Sequence, residues 1–128
     1  MAESYPEDLR YHPEHDWARV DGEEATFGIT WFAQDQLGEL VFFDPPSVGD
    51  SVSANQSYAE IESVKAVSDV FAPLSGEIVA VNDGLSDKPD LVNGDPYGDG
   101  WLVRVRLSDP SEVEKLLDVG AYKELLGK

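Results

Sequence analysis

Cysteine is absent from the 128 residues, and methionine occurs only once. The absence of cysteine excludes disulfides, thiol nucleophiles and cysteine-ligated zinc sites. Any sulfur chemistry of this protein therefore requires a group that is attached from outside. The absence does not by itself indicate such a group, because ordinary cytosolic proteins can also lack cysteine.

Basic residues are scarce. Nine lysines and arginines stand against 26 aspartates and glutamates, which gives a formal net charge of −17. An acidic surface of this kind repels the phosphate backbone of nucleic acids and anionic lipid headgroups. We therefore expect neither nucleic acid nor membrane as a partner. A protein partner is expected to present a basic face, although acidity also serves solubility.

Long apolar runs are missing too, and none approaches the roughly 20 residues of a membrane span. The acidic segment 1–8 has neither the apolar core of a signal peptide nor the arginine-rich character of a transit peptide. We expect a cytoplasmic bacterial protein. The length predicts one domain, at residues 11–128, preceded by a flexible N-terminal arm at residues 1–10.

No set of residues predicts an independent active site or a metal site. The chain has no Ser/His/Asp set, no glycine-rich phosphate loop after a strand and no carboxylate pair that stands out. His12 and His15 lack a third ligand cluster nearby. Asp83, Asp87 and Asp90 lack the spacing and the closing glutamate of an EF-hand loop. The sequence therefore favours a binding or carrier protein.

Alternating apolar and polar residues predict a mainly β fold. Residues 101–107 alternate most clearly, residues 15–20 and 25–29 flank a glycine-containing hairpin signal, and the apolar run 40–43 suits a buried strand whose aromatic residues belong to the core. Thr30 is a plausible N-cap for a short helix over 31–37 that ends at Gly38.

A helical segment is predicted near the C-terminus, over residues 110–127. Asp109 followed by proline and an acid three residues on resembles a capping box. Gly120 is predicted to end the first helix of this segment, and Tyr122 belongs to a second one that packs on the sheets.

The stretch from Glu60 to Phe71 contains two alternating runs that flank Lys65. This pattern predicts two half-buried strands with Lys65 at the tip of a hairpin. The turn has no glycine, asparagine or proline, so the prediction depends on the alternation rather than on turn chemistry.

The segment Glu-Ser-Val-Lys-Ala around Lys65, followed by Ser-Asp, occurs together with motifs along most of the chain. These motifs are His15-Asp16-Trp17, Gly28-Ile29-Thr30, Ala33-Gln34 with Leu37-Gly38, Ala72-Pro73 with Ser75-Gly76, Val81-Asn82, Leu91-Val92-Asn93, Asp95-Pro96-Tyr97-Gly98 with Gly100-Trp101, and Leu116-Leu117-Asp118 with Tyr122. In this order they resemble the glycine cleavage system H-protein family, over the range 11–126.

The resemblance implies a sandwich or hybrid barrel of two small antiparallel sheets, like lipoyl and biotinyl domains, with the modified lysine at a hairpin tip. It implies lipoate bound as an amide to Lys65, as N6-lipoyllysine. The implied function is a non-catalytic, monomeric carrier in glycine catabolism and one-carbon metabolism. Its implied partners are glycine decarboxylase, aminomethyltransferase, dihydrolipoyl dehydrogenase and the lipoylating enzymes.

The resemblance also implies roles for residues around the lysine. Recognition by lipoylating enzymes and partners is expected at Glu62, Ser63, Val64, Ala66, Ser68 and Asp69. In the family the loaded arm folds into a sheltering cleft, whose positions here are His15, Asp16, Trp17 and Gln36. The sequence departs from the family at three positions, because Asp16 often is glutamate, Trp31 usually is acidic and Gln36 is histidine in some members.

Three alternatives remain open. One is an H-protein-like relay that donates lipoyl groups to other enzymes, which neighbouring glycine cleavage genes would distinguish. Another is a biotinyl carrier domain, although such domains place methionines beside the lysine, where this chain has Val64 and Ala66. The last is a structural binding domain in which Lys65 stays unmodified.

Overall fold

The computed structural model describes residues 3–128, which form nine strands, four short α-helices and one 3-10 helix. The strands are β1 (Arg10–His12), β2 (Asp16–Asp21), β3 (Glu24–Ile29), β4 (Leu40–Asp44), β5 (Ser51–Val52), β6 (Ser57–Ser63), β7 (Val67–Phe71), β8 (Gly76–Val81) and β9 (Val103–Leu107). The helices are α1 (Trp31–Leu37), α2 (Gly84–Asp87), α3 (Leu91–Gly94), the 3-10 helix (Pro110–Lys115) and α4 (Val119–Leu125).

Two antiparallel sheets organise these elements. One has six strands in the order β1-β2-β3-β9-β8-β5, and the other has three in the order β4-β6-β7. The main hydrophobic core takes residues from both sheets, including Phe27, Val105, Ile61 and Val70. The predicted mainly β fold of two antiparallel sheets is therefore confirmed. Within residues 3–128, no helix combines the length and the apolar character that crossing a membrane requires.

Helix α1 has the boundaries that its sequence predicts. The Thr30 hydroxyl accepts a hydrogen bond from the backbone N–H of Ala33 at 3.2 Å, which satisfies a donor that the first turn leaves free. Gly38 ends the helix with φ of 82°, a left-handed conformation that favours glycine. Its N–H donates to the carbonyl of Gln34 at 2.9 Å. The helix end therefore has a fixed position next to the start of β4.

The described part of the predicted N-terminal arm contacts the rest of the protein, and its flexibility stays a prediction. Leu9 is buried, and the Tyr11 ring stacks on the Tyr122 ring of α4 at 4.7 Å between centroids. The Tyr97 hydroxyl donates to the carbonyl of Ser4 at 2.7 Å. Aromatic residues distant in sequence hold this segment, which local periodicity could not show. Residues 1 and 2 of the predicted arm lie outside the described residues.

The C-terminal segment also differs from its prediction. The first helix is a 3-10 helix that ends at Lys115, and Gly120 lies inside α4 instead of ending a helix. The reason is a second cap, because the Asp118 carboxylate accepts a hydrogen bond from the N–H of Ala121 at 2.8 Å. The predicted cap at Asp109 is present and accepts from the N–H of Ser111.

Candidate functional site

Lys65 lies in the turn between β6 and β7, at the tip of the predicted hairpin. The two strands pair in register from Ser57 opposite Phe71 to Glu62 opposite Val67, with one irregularity after Ser57. The side chain of Lys65 is exposed. The hairpin therefore presents this amine to solvent at the end of the three-stranded sheet.

A serine hydroxyl closes the turn in place of the usual glycine or asparagine. The Ser63 hydroxyl accepts hydrogen bonds from the backbone N–H groups of Lys65 at 3.3 Å and Ala66 at 3.1 Å. The backbone N–H of Ser63 donates to the carbonyl of Ala66 at 2.8 Å. Ser63 is buried, so water competes little for the hydrogen bonds to its hydroxyl. This side chain explains how a sequence without turn residues makes a tight hairpin.

A second set of contacts fixes the tip to the rest of the protein. The N–H of Val64 donates to the carbonyl of Glu39 at 3.0 Å. The Asn93 amide donates to the carbonyl of Gly38 at 2.8 Å and to the side-chain oxygen of Gln34 at 3.0 Å, and it accepts from the N–H of Leu40 at 2.9 Å. The connection from α1 to β4 therefore holds the turn.

Asn93 is a site residue that the sequence reasoning missed. It is part of a family motif, but its stretch reads only as loop with one helical turn. Its three bonds reach residues more than 50 positions away. The sequence feature that could have indicated this role is a polar residue, Asn93, between the apolar pair Leu91-Val92 and Gly94.

The Lys65 side chain runs past the end of α1. A Cβ atom built on Gly38 would lie 3.7 Å from the Lys65 Cε, which is ordinary van der Waals contact. Of the four ion pairs among residues 3–128, none includes Lys65. An open depression of about 520 Å³ adjoins this point and is lined in part by Gln34, Asp35 and Asn93.

The six predicted recognition residues divide into two groups. Glu62, Val64, Ala66 and Asp69 are exposed around the lysine, whereas Ser63 is buried and Ser68 is half-buried, opposite the buried Ile61. The structure therefore gives Ser63 a role in shaping the turn. Recognition of any of these six residues by enzymes stays a prediction.

The exposure of Val67 and Phe42 differs from what the apolar pattern of their strands predicts. Alternation places Val67 on the buried side of β7, and the apolar run 40–43 predicts that its aromatic residues are core. The structure leaves Val67 60% and Phe42 53% exposed. The inward positions of these strands are taken by Ser68, Val70 and Phe43, because the register pairs Glu62 with both Val67 and Phe42 on the outer face.

The four predicted cleft residues are not equally accessible. Trp17 is fully buried, and its indole N–H lies within hydrogen-bonding distance of the carbonyls of Ile29 and Pro96. Asp16 is buried too, whereas His15 is half-buried and Gln36 is exposed on α1. The side chains that could contact an arm at the surface are therefore those of His15 and Gln36.

His15 is held in an unusual conformation. Its φ is 74°, which costs conformational energy in a residue other than glycine. The N–H of Thr30 donates to its carbonyl at 3.0 Å, the ring nitrogen Nδ1 lies 2.8 Å from the Tyr122 hydroxyl, and the ring packs on Phe32 of α1 at 4.6 Å. Burial lowers the pKa of His15. Burial therefore favours the neutral form of the ring.

The buried position of Asp16 is unfavourable for a charged carboxylate. Its Oδ2 has no hydrogen-bond partner among residues 3–128, and burial raises the pKa of Asp16 well above its usual value, although a hydrogen bond from the Phe71 backbone opposes this. His12 Nδ1 is 4.0 Å from Oδ2 but accepts a hydrogen bond from the N–H of Glu14. Asp16 is therefore a buried carboxyl whose Oδ2 has no hydrogen-bond partner among these residues.

A further cavity lies away from the lysine. It measures about 540 Å³ and is lined in part by His12, Asn55 and Glu112. Phe71 also lines it, at the end of the hairpin opposite Lys65. The cavity therefore plays no part in presenting the lysine.

Comparison with known proteins decides among the families. The family model "Glycine cleavage H-protein" matches residues 9–128. The chain belongs to this family. A glycine cleavage system H protein of Symbiobacterium thermophilum is 50% identical over 117 residues, which cover 91% of each chain. One from Bacillus cereus strain B4264 is 51% identical over 122 residues, which cover 95% of this chain and 96% of that one.

A solved structure supports the same assignment to the H-protein family. The crystal structure of a glycine cleavage system H protein from Mycobacterium marinum superimposes with a TM-score of 0.89 at 40% sequence identity, over 97% of this chain and 100% of that chain. Both sheets and the hairpin that bears Lys65 thus belong to an H-protein fold over its full length.

Proposed function

We propose that this chain is the lipoyl-lysine carrier of a glycine cleavage system. In this role it takes the aminomethyl group of glycine from the pyridoxal-phosphate-dependent glycine decarboxylase to the tetrahydrofolate-dependent aminomethyltransferase. Dihydrolipoyl dehydrogenase then restores the oxidised carrier. The observation that carries the proposal is the exposed Lys65 at a fixed hairpin tip, in a chain of the H-protein family.

The residues around Lys65 fit a covalently attached lipoyl group. The amine is exposed, it takes part in none of the ion pairs among residues 3–128, and its stem passes close to Gly38. When attached, the group supplies a redox-active disulfide at the end of an arm of about 10–15 Å, judged from single-bond lengths. An amide at Nζ would also remove the positive charge of Lys65.

The chain itself contributes tethering and presentation. A tethered group is present at a partner's active site at a much higher effective concentration than a free one. The tethering advantage depends on a base that holds its place, which the contacts of Ser63, Glu39 and Asn93 provide. A lysine ammonium is a poor nucleophile at neutral pH, so an enzyme must carry out the attachment. We therefore propose a carrier without catalytic residues of its own.

The surface near the tip supplies the further contacts that this role needs. We propose that Glu62, Val64, Ala66 and Asp69 contact enzymes that act on the lysine or its arm, since these side chains are exposed around it. We propose His15 and Gln36 as the surface contacts of a sheltered arm, with Asp16 and Trp17 supporting them from the interior. We also propose a cytoplasmic location and a monomeric carrier.

A reconstituted reaction tests the proposal. The lipoylated protein is mixed with glycine decarboxylase, aminomethyltransferase, dihydrolipoyl dehydrogenase, glycine, tetrahydrofolate and NAD⁺, and NADH formation is followed by absorbance. We expect NADH formation that depends on glycine and on this protein. The Lys65→Arg variant keeps the charge and is expected to give none. NADH formation at the wild-type rate with Lys65→Arg would contradict the proposal.

A further inference from the structure

The outer face of the three-stranded sheet has an arrangement that the fold does not require. Two cross-strand rows point to solvent next to the lysine: Phe42, Glu62 and Val67 in the nearer row, and Asp44, Glu60 and Asp69 in the farther one. We call these six residues the outer sheet face. With a rise of about 3.3 Å per residue, the rows lie roughly 8 and 15 Å along the hairpin from its tip.

The farther row places like charges side by side. Glu60 is directly opposite Asp44 on one neighbouring strand and Asp69 on the other. Like charges at opposite positions destabilise a sheet. None of the ion pairs among residues 3–128 includes these carboxylates. Neutral side chains at these exposed positions would serve the fold better.

The nearer row adds exposed apolar surface beside these charges. Phe42 and Val67 flank Glu62, and Val64 at the tip is 66% exposed. Between residues 20 and 87 the sequence holds 13 acidic residues and a single basic one, Lys65. The outer sheet face therefore combines two exposed apolar side chains with four carboxylates and no basic residue, which is complementary to a basic protein surface with an apolar contact.

We propose that the outer sheet face is the docking surface for the enzyme that acylates Lys65, and that this enzyme meets it with basic side chains and apolar contacts to Phe42 and Val67. The inference rests on the proposed function. Enzymes that act on a completed arm reach its end from roughly 10–15 Å away. The acylating enzyme has no arm to use and must bring its own active site to the Lys65 Nζ.

The size of a protein interface supports this choice. A standard interface covers about 800 Å² of each partner, equivalent to a disc of roughly 16 Å radius. Centred on Lys65, such a disc includes both rows of the outer sheet face.

In the acylation step the lipoyl carboxyl carbon of an activated acyl adenylate forms an amide bond with Nζ. Adenosine monophosphate leaves as its bond to the acyl carbon breaks. The Lys65 ammonium gives up two protons in all, one to become a free amine and one as the amide forms.

Kinetics of acylation test the charged row. The probe is a purified lipoate–protein ligase with lipoate and ATP, acting on the unmodified full-length chain. We expect the combined variant Asp44→Asn, Glu60→Gln and Asp69→Asn to raise the KM for the chain about tenfold with kcat unchanged, and to flatten the salt dependence of kcat/KM. Its melting temperature should not fall, because the repulsion is removed.

A matched control has the same change in net charge elsewhere. Asp21→Asn, Glu23→Gln and Glu124→Gln neutralise three exposed carboxylates on β2, the following turn and α4. This variant should keep the wild-type KM. Equal KM values for the two triple variants would overturn the proposal, since they would show that only net charge, or neither set, matters.

A second pair of variants tests the apolar contact. Val67→Thr keeps the β-branched shape and is expected to raise KM about threefold, whereas Val20→Thr, on an exposed position of β2, should not. An unchanged KM for Val67→Thr would exclude Val67 as an apolar contact of the docking surface. If the wild-type chain is not acylated at all, the proposed function itself fails. If it is acylated and both outer-face variants behave like their controls, only this inference fails.

Discussion

The hydroxyl oxygen of Ser63 lies 3.3 Å from the backbone nitrogen of Lys65 and accepts its hydrogen bond. The same oxygen also accepts from the N–H of Ala66 at 3.1 Å. A buried side chain thus fixes the conformation of the residue that the proposed function requires. The precision of lysine presentation should therefore depend on this hydroxyl.

Ser63→Ala should loosen the hairpin tip. Loss of an acceptor for two N–H groups is expected to lower the free energy of unfolding by about 1–2 kcal/mol. Amide hydrogen exchange of Lys65 and Ala66 should accelerate more than that of Val70, a buried residue of β7 away from the tip. Ser68→Ala is the control, because its hydroxyl makes only a local contact with the Asp69 carbonyl. Unchanged exchange at Lys65 in Ser63→Ala would contradict this account of the turn.

Asn93→Ala should release the connection between α1 and β4. The substitution removes two donated hydrogen bonds and one accepted one, so we expect a loss of about 2–3 kcal/mol in denaturant unfolding. Asn93→Asp keeps the acceptor for Leu40 and loses the donors, and it should fall between Asn93→Ala and the wild type. If all three proteins unfold at the same denaturant concentration, Asn93 does not brace the tip.

Asp16→Asn should stabilise the protein in a pH-dependent way. Burial raises the folded-state pKa of Asp16 above its usual value of 3.8. Below that value Asp16 does not reduce the free energy of unfolding. Stability is lost as pH rises through the folded-state pKa, because the buried carboxyl must then ionise. The titratable groups around it are His12, Glu14 and Tyr58.

The expected gain for Asp16→Asn is on the order of 1–3 kcal/mol at pH 7, the cost of a buried group without its partner. The gain should shrink as pH falls toward 4, in urea unfolding measured at several pH values. The exposed Asp21→Asn is the control and should show little change. A gain that is the same at pH 4 and pH 7 would show that ionisation of Asp16 is not its source.

Local signals in the sequence predicted those elements whose ends are determined locally. Thr30 and Gly38 gave both ends of α1, because a cap and a left-handed glycine act within one turn. Alternation gave the Lys65 hairpin for the same reason. Gly120 failed as a helix end because Asp118 caps a new helix there, and a glycine alone does not distinguish the two cases.

Long-range contacts determine what the sequence reasoning missed. Asn93 bonds to groups more than 50 positions away, and Leu9 is buried by aromatic residues from other parts of the chain. The exposure of Phe42 and Val67 follows from strand register, which alternation alone does not specify. For the site, the motif around Lys65 was readable, whereas the accessibility of the cleft residues needed the packing of Trp17 and Asp16.

Intact mass spectrometry tests the central claim most directly. The protein and its Lys65→Arg variant are purified from cells that make lipoate, and their masses are compared. The account predicts one added lipoyl group on the wild type and none on Lys65→Arg. A wild-type chain that carries no lipoyl group, and that a lipoate–protein ligase also leaves unmodified in vitro, would contradict the carrier function.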